Sequence, residues 1–262
     1  MDIADNVEII DLGVFQVTAG SVMGSHHRAL FRNNQDAYRI SQTPDAIIAI
    51  LADGCGSGRY SEVGARLAPG FITRYLHGWL KSYADEFDGD VMINYAVTQL
   101  QHSINVVVAQ QADELTQCVN DMFLFTLLGV IITHNLTYIF AYGDGAYMLN
   151  GELTTLDQDN TPNYIGYGCI GPQAIKANHY RVVPTAEVRS LILGCDGVLD
   201  IVNQQDTLIR VGTKEELIGG LSQFLTLDEV ALGKRLNVLS KQGVLTDDTT
   251  LIVIKDDSIG AE

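Results

Sequence analysis

Apolar positions along the chain change period several times, and each change marks an element. Residues 12–20 (LGVFQVTAG) predict a first strand, and the polar stretch SHHRALFRNNQ after them predicts a loop. AYRIS and AIIAILA predict two strands around the turn-forming Pro44-Asp45. A glycine-rich loop follows, Gly54-Cys55-Gly56-Ser57-Gly58. Helical spacing then runs from about Ser61 to Tyr83, where Pro69 is expected to bend the helix, and from about Val91 to Cys118. Residues 122–133, 136–142 and 146–149 predict three strands with tight connections, a β-meander. Residues 156–178 hold no clear periodicity and several Gly, Pro and Asn, so a loop region is expected there. Strands are expected again at 180–183, 190–194 and 249–255, before a DDSIGAE tail. Thr213-x-x-Glu216 and Thr226-x-x-Glu229 are capping-box patterns, each predicted to open a helix. Strands, two long helices, strands, shorter helices and a last strand do not make the alternation of a doubly wound sheet. They predict an α+β fold with antiparallel sheets and helices outside.

Composition narrows the function classes. Apolar residues make up 47% and charged residues 18% of 262, a globular balance. The formal charge of −16 argues against nucleic acid or an anionic membrane as partner, since both are polyanions. Cysteines at 55, 118, 169 and 195 form no CxxC pair, which argues against a disulfide framework or a zinc site. The N-terminus carries acids and lacks a basic leader region, and no apolar run is long enough to span a bilayer. A soluble cytoplasmic protein is expected.

The candidate chemistry is acidic. Asp53-Gly54, Asp144-Gly145 and Asp196-Gly197 each close an apolar, strand-like run, and Asp247-Asp248 immediately precedes TTLIVIK. Carboxylates held at strand ends suit hard divalent cations such as Mg²⁺ or Mn²⁺. An Asp-Gly pair is also a common hairpin turn, so one alone carries little weight.

Taken in order, Gly24-Ser-His, Asn34-Gln35-Asp36-Ala, Ala52-Asp53-Gly54-x-Gly, Gly143-Asp144-Gly145, Cys195-Asp196-Gly197-x-x-Asp200 and Asp247-Asp248-x-Thr resemble the metal-dependent PP2C (PPM) protein phosphatases. GSGxxSExGARLA after the second aspartate motif is most similar to the prokaryotic branch. The resemblance covers roughly residues 12 to 255. It implies a single domain over 1–262, built as a β-sandwich of two antiparallel sheets flanked by helix pairs, with a metal centre at one end. It implies a phosphoserine or phosphothreonine hydrolase that uses metal-activated water and two Mn²⁺ or Mg²⁺ ions, with a third, weaker ion in bacterial relatives. A phosphorylated protein substrate and a cognate Ser/Thr kinase pathway would be its partners.

The resemblance also assigns roles. Asp53 would bridge the two ions and Gly54 would offer its carbonyl to one; a hairpin turn is the plainer explanation of that pair. Asp196 and Asp247 would complete the metal shell, the alternatives being a helix N-cap and a solvated turn. Asp248 would support Asp247. Asp36 would order metal-bound water, beside Gln35 where many relatives carry Glu. Asp144 would hold the third ion, or form only a tight turn, and Asp200 lies one turn past Asp196. Arg32, ahead of Arg28, would bind the substrate phosphate, although neither sits at the usual offset from Asp36. Cys55 stands where many relatives have a His proton donor, and is expected to be a small buried residue. His26 and His27 are expected to be a solvated loop pair, with substrate phosphate contact as the alternative. Two other functions remain open: a catalytically weak metal-binding module that binds a phosphorylated partner, and a hydrolase of small phosphate esters. A cysteine-based phosphatase is argued against, because neither Cys55 nor Cys195 is followed by Arg at the sixth position.

Overall fold

A computed structural model describes residues 5–44, 46–83, 88–111, 114–158, 161–171, 175–211 and 214–257. The chain divides into two units. The first comprises residues 1–36, 145–155 and 186–262, and the second residues 37–144 and 156–185.

The first unit is built on a six-stranded sheet ordered β1-β2-β13-β10-β7-β8. The strands are β1 (Asp5–Leu12), β2 (Phe15–Val22), β7 (Gly145–Leu149), β8 (Glu152–Leu156), β10 (Ser190–Gly194) and β13 (Thr249–Asp256). β1/β2, β2/β13, β13/β10 and β10/β7 all pair antiparallel. Helix α7 (Glu229–Lys241) packs Leu232, Leu236 and Leu239 into a core shared with Val22, Ile192, Leu251 and Val253. Those leucines recur at intervals of three to four residues, the period that keeps one helix face on the sheet.

The second unit is a five-stranded sheet ordered β3-β4-β5-β6-β9. Its strands are β3 (Ala37–Thr43), β4 (Ala46–Gly54), β5 (Phe125–Thr133), β6 (Leu136–Tyr142) and β9 (His179–Pro184), paired antiparallel throughout. Helices α2 (Glu62–Tyr83), α3 (Gly89–Gln111) and α4 (Leu115–Met122) share its core. Ala65, Ala68, Ile72, Leu76 and Leu80 of α2 meet Ile93, Val97, Leu100 and Ile104 of α3 and the Ile48, Ile50 side of β4. Each of the Ile, Leu and Val side chains among them contributes about 1.5–3 kcal/mol when fully buried. α2 continues through Pro69.

Two antiparallel sheets with helices are therefore as the sequence predicts, but several local expectations need correction. The first strand is β1, with β2 after it beginning at Phe15. The stretch expected to be a loop holds a short helix, α1 (Ser25–Ala29). The expected meander is not one. β6 pairs with β5 and β9, whereas β7 pairs with β10 in the other sheet, so the chain changes sheets at Gly143-Asp144. The single long helix expected to reach Cys118 is two helices, α3 and α4. A short helix, α5 (Tyr167–Ile170), lies in the region expected to be irregular. The helix predicted from Thr213-x-x-Glu216 is instead a hairpin of β11 (Leu208–Val211) and β12 (Lys214–Leu217), with Thr213 outside the described residues. The helix predicted from Thr226 is real, but its N-cap is Asp228, whose side chain accepts from the Ala231 N–H. Asp45 and residues 258–262 of the tail also lie outside the described residues.

Candidate metal centre

In the first unit the segment entering β13 carries Asp247 and Asp248. Asp248 is buried at 3% exposure and its carboxylate accepts three hydrogen bonds. The Gly24 N–H donates to Oδ1 at 2.8 Å, and the Gln35 N–H donates to Oδ2 at 2.6 Å. His27 Nδ1 lies 2.7 Å from Oδ2 and donates to it, since an ionised carboxylate can only accept. That bond is the main cause of a raised His27 pKa, working against desolvation of the ring. His27 is therefore a buried structural partner and not half of a solvated pair; His26 is the exposed one.

The same segment is laced from other sides. Ser25 and His26 donate backbone N–H groups to the carbonyls of Leu245 and Thr246, both at 3.0 Å. Asp200 Oδ2 accepts from the Thr246 N–H at 2.7 Å and its hydroxyl at 2.6 Å, so this carboxylate is engaged in holding the segment. Glycine is required twice against it. A Cβ at Gly24 would run into the Asp247 backbone, and one at Gly197 into the Asp248 carbonyl. Asp247 itself reaches solvent, with Oδ1 accepting from the Asp248 N–H at 2.8 Å. Enough protein surrounds its carboxyl that desolvation, followed by the Asp196 charge, raises its pKa.

Asp196 opens a 3₁₀ turn (Asp196–Val198) immediately after β10. It is not an N-cap. Cys195 holds that position, with no side-chain capping bond, and Asp196 Oδ1 is buried without a hydrogen-bond partner. Asp36 is buried too. Its Oδ2 accepts from the Cys195 thiol at 3.1 Å, while Oδ1 is buried without a partner. Burial, then the Asp248 charge, pushes the Asp36 pKa well above the usual carboxylate range.

A buried carboxylate oxygen with no donor is costly unless a cation meets it. Asp36 and Asp196 each present one, and Asp247 adds a carboxylate at the surface. Carboxylate oxygens of this kind suit a hard divalent ion. His27, Asp247 and Asp248 also place one donor atom each within 4.8 Å of one another, but His27 and Asp248 spend theirs on each other.

The second unit gathers a separate group. Asp53 lies within β4, in register with Thr126 of β5, so Asp53-Gly54 is not a hairpin turn. Gly143 lies next to the same threonine: a Cβ on it would meet the Thr126 side chain. Its φ of 102° is one that L side chains rarely adopt. The Asn178 amide clamps Gly143 from both sides, accepting from its N–H at 2.7 Å and donating to its carbonyl at 2.9 Å. Asp144 is thereby fixed next to the Asp53 strand. Tyr164 registers both charges: burial first, then hydrogen bonding to Cys55 and the Asp144 and Asp53 charges, raise its pKa. Cys55 is buried, yet its thiol is engaged, lying 3.1 Å from the Ser57 hydroxyl. Desolvation opposes ionisation of that thiol, but hydrogen bonds from Ser57, Tyr164 and the loop N–H groups outweigh it and lower its pKa.

Of the two candidate arginines, Arg28 donates from Nη2 to Ser240 Oγ at 3.1 Å, tying α1 to α7. Arg32 is exposed just beyond α1, with its N–H bonded to the His27 carbonyl at 3.0 Å. The sequence did not point to Asp248 as a hub, nor to Cys195, Asn178 or Tyr164. Each acts through a partner far away in the chain, and no local motif marks such a contact.

The chain belongs to the Protein phosphatase 2C family, whose sequence profile matches residues 23–224. Asp247 and Asp248 lie beyond the matched segment. A serine-threonine phosphatase 2C from Toxoplasma gondii shares the fold at TM-score 0.63 and 10% identity, over 95% of this chain and 99% of that one. A bacterial serine phosphatase carrying an arginine-to-alanine substitution aligns at TM-score 0.61 and 15% identity, over 92% and 97%. The catalytic domain of the serine threonine protein phosphatase PstP, in complex with two manganese ions, aligns at TM-score 0.52 and 21% identity, over 92% and 98%. No curated protein sequence matches the chain. Among the described residues, no helix is long and apolar enough to cross a membrane.

Proposed function

We propose that this chain is a metal-dependent protein-serine/threonine phosphatase, forming one functional domain and acting in the cytoplasm on a phosphorylated protein within a kinase pathway. The observation that carries this reading is the pair of buried, partnerless carboxylate oxygens on Asp36 and Asp196, in a chain of a family with a manganese-bound relative. Asp53, the Gly54 carbonyl, Asp196 and Asp247 would hold two Mn²⁺ or Mg²⁺ ions, and Asp144 a third.

Bound ions of this kind activate water and neutralise phosphoryl charge. The chain's own groups do the rest. Asp248 fixes the Asp247 backbone through Gly24, Gln35 and His27. Asp36 would orient the attacking water through its partnerless oxygen. Arg32, exposed beyond α1, would hold the phosphoryl oxygens. Cys55 is engaged by Ser57 and Tyr164, so solvent would protonate the leaving alkoxide.

That engagement of Cys55 also favours a second reading, a catalytically weak module that binds a phosphorylated partner. Hydrolysis of a phosphothreonine peptide and an aryl phosphate decides between them, measured with Mn²⁺, with EDTA and in Asp53→Asn. Metal-dependent phosphate release lost in the variant supports the enzyme. Manganese binding with no release from either substrate supports the module.

A further inference from the structure

A cavity of ≈ 1100 Å³ lies within the second unit, between strand β3 and helix α2. Its electrostatics reverse those of the whole protein. The chain carries 32 acidic against 16 basic residues, yet Arg39, Arg66 and Arg74 line this cavity and, among the described residues, no Asp or Glu does. Arg39 projects from β3 and Arg74 from α2, both exposed.

The floor is polar and unsatisfied. Thr73 is 3% exposed, and its Oγ1 is buried without a hydrogen-bond partner. His77 is bonded to Ser41 through Nε2, while its Nδ1 is buried without a partner. Both side chains line the cavity. Buried polar atoms of this kind are uncommon in native proteins and call for a ligand or water. The α2 wall is bare at Gly70 and Gly78, where a Cβ would meet nothing within 4 Å. Phe71 and Tyr75, stacked at 6.3 Å, add an apolar surface.

β3 is terminal in its sheet. A terminal strand offers main-chain groups to an added strand, and side-chain pockets beside it then select the sequence. We propose that this groove binds an acidic, extended peptide segment of a partner protein, laid along the outer edge of β3. Its carboxylate or phosphate groups would face Arg39, Arg66 and Arg74, and its alternate apolar side chains would face Phe71 and Tyr75. The occupant is an anionic peptide because the groove gathers positive charge on an acidic protein and because it runs beside a strand edge. The proposal does not rest on phosphatase activity.

The test uses the whole chain in EDTA, which keeps the metal centre out of the result. Fluorescence anisotropy is followed with a short labelled peptide alternating Glu and Val, its Gln/Val counterpart, and ATP. The Glu/Val peptide is expected to bind, to weaken with salt, and to lose at least about tenfold in affinity in the Arg39→Glu, Arg74→Glu double variant. Gly78→Leu, which fills open space, is expected to weaken it as well, with thermal unfolding showing that both variants fold. Absent binding, equal affinity for the Gln/Val peptide, or undiminished binding in both variants would overturn the proposal. ATP binding more tightly than the peptide would overturn it in favour of a nucleotide site.

Discussion

His27 Nδ1 lies 2.7 Å from Asp248 Oδ2, joining two buried residues 221 positions apart. The same carboxylate takes the Gly24 and Gln35 N–H groups, so one side chain fixes two segments against the entry to β13. Asp248→Ala leaves all three donors buried without an acceptor. The loss is expected to be about 3 kcal/mol or more, the range for breaking a buried ion pair on one side. Asp248→Asn keeps one acceptor oxygen and should lose less. Urea unfolding of both variants in EDTA checks the order, and equal losses would refute the hub role.

Glycines 24 and 197 test how tightly that entry is packed. Ala at either position drives a Cβ into the backbone of Asp247 or Asp248. Each substitution is expected to cost about 1–3 kcal/mol. By displacing Asp247, each should also weaken Mn²⁺ binding about ten- to a hundredfold, as loss of a supporting contact does at metal sites. Gly70→Ala is the control. Its Cβ meets nothing, so it should stabilise α2 by roughly 0.5–1 kcal/mol and leave Mn²⁺ titration unchanged. Calorimetry on the three variants separates these outcomes.

Much of this was legible in the sequence. The β4 apolar run, the helical spacing of α2 and α3 and the five acidic motifs need only local patterns. The failures are equally physical. The strands at 136–149 look like a hairpin because only a few residues separate them, and nothing local shows that Gly143, at φ 102°, sends the chain into a different sheet. Thr213-x-x-Glu216 fits a capping box, but Leu208↔Leu217 and Ile209↔Glu216 pairing won over that local signal. Asp228 outcompetes Thr226 as a cap because its side chain reaches the Ala231 N–H. Asp248 was legible as an acid beside a candidate metal ligand, but its three partners come from residues 24–35, which only the fold brings to it.

Asn178 carries a prediction for the second unit. Its amide holds both backbone groups of Gly143. Asn178→Ala should cost about 1–3 kcal/mol, the penalty for stranding partly buried polar groups. If Asp144 holds the weaker third ion, the same variant should lose affinity for that ion before the others. Stepwise Mn²⁺ titration reads this directly; uniform weakening of every step would sink the third-ion role.

Asp36 ties stability to pH. Its folded pKa is raised, so the folded state holds the proton to a higher pH than the unfolded chain does. Stability contributed by the protonated form is lost as pH rises through that folded pKa, and above it the ionised carboxyl is a burden. Asp36→Asn removes that charge. In EDTA, at a pH above that folded pKa, the variant is expected to melt higher than the parent. In Mn²⁺ its gain from the metal should shrink, because one oxygen ligand for water or metal is gone. A variant that melts lower in EDTA would show that the buried carboxylate is already compensated by the protein.

His77 gives a pH dependence away from the candidate metal centre. Burial lowers its folded pKa below the ordinary value of 6.5, and its Nδ1 is buried without a partner. Below pH 6.5 the unfolded chain therefore binds a proton that the folded chain resists. Stability therefore falls as pH drops through 6.5 toward the folded pKa, and is flat above 6.5 for this group. His77→Gln removes the titration while keeping a polar side chain opposite Ser41. Thermal unfolding at about pH 7.5 and about pH 5.5 should show a smaller acid loss in the variant than in the parent. An equal loss would mean that the acid sensitivity comes from other groups, such as His179, whose pKa burial and the nearby Arg181 charge also lower. Adding the Glu/Val peptide at the acid pH makes the test sharper. A carboxylate seated near His77 would favour its charged form, so at the acid pH the peptide should stabilise the parent more than the variant.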